Sequence, residues 1–238
     1  MLTALLTLFH GCQPTPAPTM LVQPAALSRM LEGGQTRLLD TRSREAYIQG
    51  HIPGAIRVEV KSWQDQGRKP GGFRDAAAWS RLVGALGITH QSRVVVYGDQ
   101  LPETARVWWL LKYLGLKEVA ILDGGWSAWQ KADLPASTGA VQPAAATFTP
   151  DFQADRLEEI DSLKNSVAAG KAKVVDARSG DEFTGKDVRG KRGGHIPGST
   201  HLEWKDLLEQ DGRFRSAPAL RDLFKRKGIT PEDTLITC

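Results

Sequence analysis

This chain contains the same unit twice, and that constrains its fold more than any other feature. Leu38-Leu39-Asp40-Thr41-Arg42-Ser43 returns as Val174-Val175-Asp176-Ala177-Arg178-Ser179. Gly50-His51-Ile52-Pro53-Gly54 returns as Gly194-His195-Ile196-Pro197-Gly198, and Gly87-Ile88-Thr89 returns as Gly228-Ile229-Thr230. The matches keep one order, at offsets of 136, 144 and 141 residues. A period that long describes a duplicated domain and not a solenoid, whose repeats run to a few tens of residues.

Inside each copy, strand and helix signals alternate. Arg37-Leu38-Leu39-Asp40, Arg93 to Tyr97 and Val119 to Leu122 are short apolar runs without polar alternation, as expected of strands buried on both faces. Asp75 to Leu86 carries apolar residues at helical spacing and stops at Gly87, and Thr104 to Leu114 reads as a second helix. The expected fold class is therefore α/β, with two tandem domains, each a small parallel sheet flanked by helices. The Pro-, Ala- and Thr-rich stretch after Leu134 reads as a connection. The expected division is a leader and tether over 1–20, a first domain over 21–135, a linker over 136–152 and a second domain over 153–238.

The copies differ in two ways. Asp to His spans 11 residues in the first (Asp40 to His51) and 19 in the second (Asp176 to His195), and the extra loop carries Lys186, Arg189, Lys191 and Arg192. The first copy also continues past Tyr97 through a helix, a strand and Asp123-Gly124-Gly125-Trp126-Ser127-Ala128-Trp129. The second has nothing printed after Cys238 and is expected to be incomplete by a helix, a strand and a terminal helix.

Composition removes several function classes. A net charge of +4 is spread along the chain without interleaved aromatics, which speaks against a nucleic-acid partner and suits small anionic substrates. The two cysteines, Cys12 and Cys238, lie at opposite ends, so neither a disulfide framework nor a cysteine-built zinc site is expected; no metal and no cofactor are implied. Met1 to Phe9 is apolar but far shorter than the roughly 18 residues of a membrane span. With Gly11-Cys12 and a Pro/Thr-rich tether behind it, this segment resembles the end of a bacterial lipoprotein signal. That resemblance implies lipidation of Cys12, a membrane tether and a place on the periplasmic side of the cell envelope. If the segment is only an unprocessed tail, the protein is cytoplasmic.

From about Leu21 onward the chain resembles the rhodanese family, specifically the two-domain thiosulfate and 3-mercaptopyruvate sulfurtransferases. The resemblance is carried by the two Asp-x-Arg motifs, the two Gly-His-Ile-Pro-Gly turns, and Leu122-Asp-Gly-Gly-Trp126 with Trp129. It implies a silent N-terminal copy and a C-terminal copy with its cysteine at a strand end. Cys238 follows Thr234-Leu235-Ile236-Thr237, at the carboxyl end of a strand, where open α/β sheets place ligands. Gapless alignment from the Gly-Ile-Thr motifs sets Cys238 opposite Tyr97; one residue of slack sets it opposite Gly98, and neither is a thiol.

Sulfane sulfur transfer needs a soft nucleophile that can hold the sulfur as a persulfide, and only a thiolate does both. Cys238 is the expected nucleophile, against the plainer reading of a buried strand-end thiol. The expected partners are a small anionic donor, thiosulfate ahead of mercaptopyruvate, and a cyanide or thiol acceptor. Arg189 matches an arginine that mercaptopyruvate-type members use on substrate, with Arg192 as a neighbouring competitor; a solvated basic loop is the alternative. Glu182 stands where animal members carry a second arginine. Asp176, Arg178 and His195 recur in the copy without cysteine, which favours structural support over direct catalysis. The tryptophans, Trp204 among them, read as core and interface. Without the loop that follows the cysteine in this family, the 238-residue chain is expected to be inactive. A non-catalytic module that binds a partner or presents sulfur is the reading from another class.

Overall fold

The structure is a computed structural model that describes residues 20–238; Cys12 and its neighbours lie outside the described residues. The first unit contains β1 (Leu21–Val22), α1 (Pro24–Glu32), β2 (Thr36–Asp40), α2 (Arg44–Gln49), β3 (Ile56–Arg57), α3 (Val60–Arg68), α4 (Ala76–Gly84), β4 (Arg93–Tyr97), α5 (Leu101–Tyr113), β5 (Val119–Leu122) and α6 (Gly125–Lys131). Its five strands are all parallel, in the order β1-β5-β4-β2-β3. The second unit contains α7 (Ile160–Ala168), β6 (Lys173–Asp176), α8 (Gly180–Thr184), β7 (Thr200–His201), α9 (Ala217–Arg226) and β8 (Leu235–Thr237), with parallel strand order β7-β6-β8.

The two-residue pleat explains why the strands lack polar alternation. Leu39, Val94 and Val96 point into one hydrophobic cluster with Trp63, Trp79 and Val107, while Leu38, Val95 and Tyr97 point into a second with Leu27, Tyr47 and Trp129. Both faces are covered by helices, so both sets of alternate residues are apolar. The second unit has a smaller cluster built on Val175, Leu202, Leu223 and Ile229.

Helix starts follow from side chains that reach exposed backbone N–H groups. Asp75 accepts from Ala78 at the start of α4, Ser43 from Ala46 at α2, and Ser216 from Ala219 at α9. Gly87, at φ +66°, turns the chain from α4 back toward β4. A Cβ there would stand 2.8 Å from the Ala144 carbonyl, so the turn also needs the missing side chain.

The stretch read as a linker lies against the first unit. His51 and Ser137 exchange backbone hydrogen bonds, Val141 N–H donates to the Tyr47 hydroxyl, and Ala146 N–H donates to Gly84. Phe148 is fully buried within the first unit's core and stacks on His90. Asp151 and Gln153 donate to Leu114 and Tyr113, and the Trp109 indole donates to Arg156. An apolar anchor in an otherwise tether-like sequence is what holds it down.

Candidate active site

Cys238 is placed by the pairing of β8 with β6. Val174 pairs with Ile236 and Val175 with Thr237, so the ladder brings Cys238 level with Asp176. Its N–H donates to Val175 and its carbonyl accepts from Ala177, at 3.1 and 2.9 Å. In the first unit Leu38 pairs with Val95, Leu39 with Val96 and Asp40 with Tyr97, and Thr41 N–H donates to the Tyr97 carbonyl at 2.9 Å. The register thus selects Tyr97, not Gly98, as the counterpart of Cys238.

Asp176 is fully buried at the carboxyl end of β6. It accepts the Arg178 N–H at 3.0 Å and the Arg178 guanidinium at 2.9 Å through Nε and 2.5 Å through Nη2. Arg178 Nη2 then donates to the Gly194 carbonyl at 2.9 Å, which ties the strand end to the Gly-His-Ile-Pro-Gly turn. Asp40, Arg42 and Gly50 repeat the clamp in the first unit. The identical geometry in the cysteine-free copy explains the motif as the fastener of strand to turn. In the second copy it also fixes an ion pair beside a thiol.

His195 lies in that turn. Its Nδ1–H donates to the Phe183 carbonyl at 2.8 Å, and its ring stacks on Phe183 at 3.7 Å between centroids. His51 does the same with Tyr47, at 2.9 and 4.1 Å. These bonds run to α8 and α2, so the structure directs neither imidazole toward the strand-end site. On the other face of Phe183 stacks His201, which lies opposite Asp176 in the sheet and donates through Nε2 to the Arg178 carbonyl at 2.9 Å. The sequence reading did not single out His201 or Phe183. The available signal was in the repeat, because Arg57 matches His201 and donates to the Arg42 carbonyl at 3.1 Å.

The extra basic loop leaves α8 through a narrow neck. Gly185, at φ +82°, lies so close to Gly194 that a Cβ would stand 2.9 Å from its nitrogen. Arg189 is mostly exposed and is paired with Glu182 at 3.1 Å and Asp187 at 3.6 Å. Arg192 is exposed and makes no ion pair among the described residues. Glu182 is buried and closes a capping box with Ser179: its N–H donates to Ser179 Oγ, and its carboxylate accepts from the Ser179 backbone. The carboxylate is therefore bound at both ends, by α8 and by Arg189.

Electrostatics at Cys238 pull in opposite directions. Partial burial pushes the thiol above its ordinary range and the Asp176 carboxylate adds to that, while Arg178 draws it down. Asp176 itself is held below the usual carboxylate range, first by its bonds to Arg178. In the first unit the matching space is filled. Arg42 lies 4.4 Å from the Trp126 ring and 5.6 Å from that of Tyr97. Gly98 and Gly125 touch so closely that a Cβ on Gly125 would stand 2.1 Å from the Gly98 carbonyl.

Comparison with known proteins agrees with this geometry. The rhodanese-like domain family matches twice, over residues 23–132 and 159–238. A thiosulfate sulfurtransferase of Azotobacter vinelandii is 31% identical over 220 residues, covering 92% of this chain and 81% of its own. A human 3-mercaptopyruvate sulfurtransferase is 31% identical over 208 residues, covering 82% of this chain and 69% of its own. The crystal structure of SseA, from work on the 3-mercaptopyruvate sulfotransferases of Escherichia coli, shares the fold with a TM-score of 0.81 at 24% identity, covering 92% of this chain and 87% of that one. With two matching domains and relatives of this kind, the chain belongs to the rhodanese family of sulfurtransferases.

Proposed function

We propose that Cys238 is the nucleophile of this sulfurtransferase and that thiosulfate is its donor. The observation that carries the reading is the register that sets Cys238 level with Asp176 and beside the Arg178 ion pair, where the sister unit holds Tyr97. The Cys238 thiolate attacks the outer sulfur of thiosulfate. The S–S bond of the donor breaks, its electron pair leaves with sulfite, and Cys238 becomes a persulfide. Cyanide or a thiolate then attacks the terminal sulfur, and the electron pair returns to Cys238. Arg178 favours the anionic sulfur before and after loading, and Arg189 or Arg192 meets the donor's charge from the loop.

Intact-mass spectrometry tests this. A gain of one sulfur atom from thiosulfate, removed by cyanide and absent in Cys238→Ser, supports the reading and overturns the expected inactivity of the 238-residue chain. Loading by 3-mercaptopyruvate but not thiosulfate assigns the other donor. Loading by neither favours a non-catalytic module. We further propose that Cys12 carries lipid and tethers the protein at the cell envelope, on the support of the apolar run, Gly11-Cys12 and the Pro/Thr-rich segment. Membrane-extracted protein bearing an unmodified Met1 overturns that part.

A further inference from the structure

Three successive carbonyls at the end of β6 are each held from the β7 side. Leu202 N–H donates to Asp176 at 3.0 Å, and Trp204 N–H donates to Ala177 at 3.0 Å. The third carbonyl, that of Arg178, is held by a side chain, with His201 Nε2 2.9 Å away. A carbonyl can only accept, so Nε2 carries the ring proton. The segment fastened in this way is the one that meets the thiol, because Ala177 N–H donates to the Cys238 carbonyl at 2.9 Å.

His201 is itself fixed. Its backbone lies opposite Asp176 in the parallel ladder, and its ring stacks on Phe183 at 4.6 Å and 27°. His195 backs the same phenyl ring at 3.7 Å and 7°. A stacked ring has little rotamer freedom left to lose, so its hydrogen bond constrains the acceptor instead of following it. The first unit makes the same tie with another side chain, Arg57 Nε to the Arg42 carbonyl at 3.1 Å. Two residue types that converge on one carbonyl mark the donor, not the imidazole, as the requirement.

The clamp beside the thiol has one fixed member and one loose one. Asp176 is fully buried on its strand, whereas the Arg178 side chain is 38% exposed and free to swing to solvent. Partial burial raises the Cys238 thiol, Asp176 adds to the rise and Arg178 opposes it; among the described residues these are the charged groups that act on it. Loosening the Arg178 backbone therefore removes the opposing cation first.

We propose that His201 is a positioning residue for sulfur transfer: by holding the Arg178 carbonyl it keeps the guanidinium on Asp176 and beside Cys238. The proposal rests on Cys238 as the nucleophile.

Alkylation by iodoacetamide across a pH series tests it, in a Cys12→Ser background where Cys238 alone reports. His201→Phe keeps a stacking ring and loses the donor; His201→Gln loses the ring and keeps an amide donor in place of Nε2. The expected result is a midpoint raised by about half a pH unit in His201→Phe, a threefold loss of thiolate at pH values below it. His201→Gln stays with the parent. In an Arg178→Met background His201→Phe adds nothing, as a residue acting through Arg178 requires. Thermal midpoints on the same variants separate folding from positioning, since a merely structural role lowers them and leaves the alkylation profile in place. An unmoved profile in His201→Phe, a His201→Gln displaced as far as His201→Phe, or a full shift without Arg178 overturns the proposal. Sulfur loading is followed on the same samples. A parent chain that alkylates normally yet takes sulfur from neither thiosulfate nor 3-mercaptopyruvate counts against Cys238 as nucleophile, while the alkylation profiles still decide the hold of His201 on Arg178.

Discussion

Tyr97 and Cys238 occupy one position in two copies of one domain, each with a backbone carbonyl that accepts the N–H of the residue following the clamp aspartate, at 2.9 Å in both. Where the second copy has a thiol at its surface, the first has a fully buried ring whose hydroxyl accepts from Ile52 N–H at 3.1 Å.

Removing that ring costs stability and yields no reactive site. Tyr97→Cys leaves a void among Ile52, Trp126 and Trp129, and the expected loss is about 3–5 kcal/mol, typical of large aromatic truncations. Tyr97→Phe removes one hydrogen bond, for about 1 kcal/mol. Chemical denaturation of the two variants measures both. The new thiol of Tyr97→Cys, being buried, should alkylate far more slowly than Cys238 under native conditions.

Partial burial lifts the Cys238 thiol first, and the clamp pair modulates that shift. Asp176 raises the thiol and Arg178 lowers it, so Asp176→Asn moves the midpoint of iodoacetamide alkylation to lower pH and Arg178→Met moves it higher. Asp176 also ties folding to pH. Its lowered pKa means that its contribution is present above the ordinary value of about 3.9 and is lost as pH falls through the folded-state value. Acid unfolding followed by circular dichroism should therefore be shallower in Asp176→Asn.

Glu182 pairs with Arg189 at 3.1 Å, and that pairing competes with any contact from Arg189 to an anionic donor. Glu182→Gln keeps the capping box, which accepts glutamine as readily, but loses the ion pair. The freed guanidinium should speed sulfur loading severalfold at low thiosulfate, and Arg189→Ala should slow it. Stopped-flow loading followed by mass spectrometry reads the difference. Equal rates in both variants would leave the loop arginine Arg192 as the donor contact.

Phe148 belongs to the first unit's core although it lies in the connecting stretch. Phe148→Ala should destabilise that unit by about 3–5 kcal/mol. Gly84→Ala, whose Cβ would stand 2.4 Å from the Ala146 carbonyl, should lift the same segment. Limited proteolysis within 136–152 should be slow in the native chain and fast in either variant.

The duplication was legible from its repeated motifs, and the principal strands because apolar runs such as Val94–Val96 and Val119–Leu122 are long enough to signal burial on both faces. The pairs Leu21–Val22, Ile56–Arg57 and Thr200–His201 were not, since two residues carry no period. Asp75 to Leu86 and Thr104 to Leu114 anticipated α4 and α5, with boundaries shifted by a few residues. At the candidate site, the repeat itself separated clamp residues from the thiol. The partners of Arg189 were hidden, because pairing with Glu182 depends on how an irregular loop folds back. The packed connection was hidden as well: Pro, Ala and Thr describe a tether, and only Val141 and Phe148 hinted at an anchor.

That anchoring changes how the two halves explore space. A free tether over 136–152 would give the second half a reach of about 20 Å by flexible-chain scaling. Fastened by Ser137, Val141, Ala146, Phe148 and Gln153, and bridged further on by Arg74 to Glu159 at 3.1 Å, it gives almost none. The joint shrinks to a few residues before Ile160. The two units then meet at the high effective concentration of a short, stiff connection, and their packing is built into the chain instead of awaiting a chance encounter.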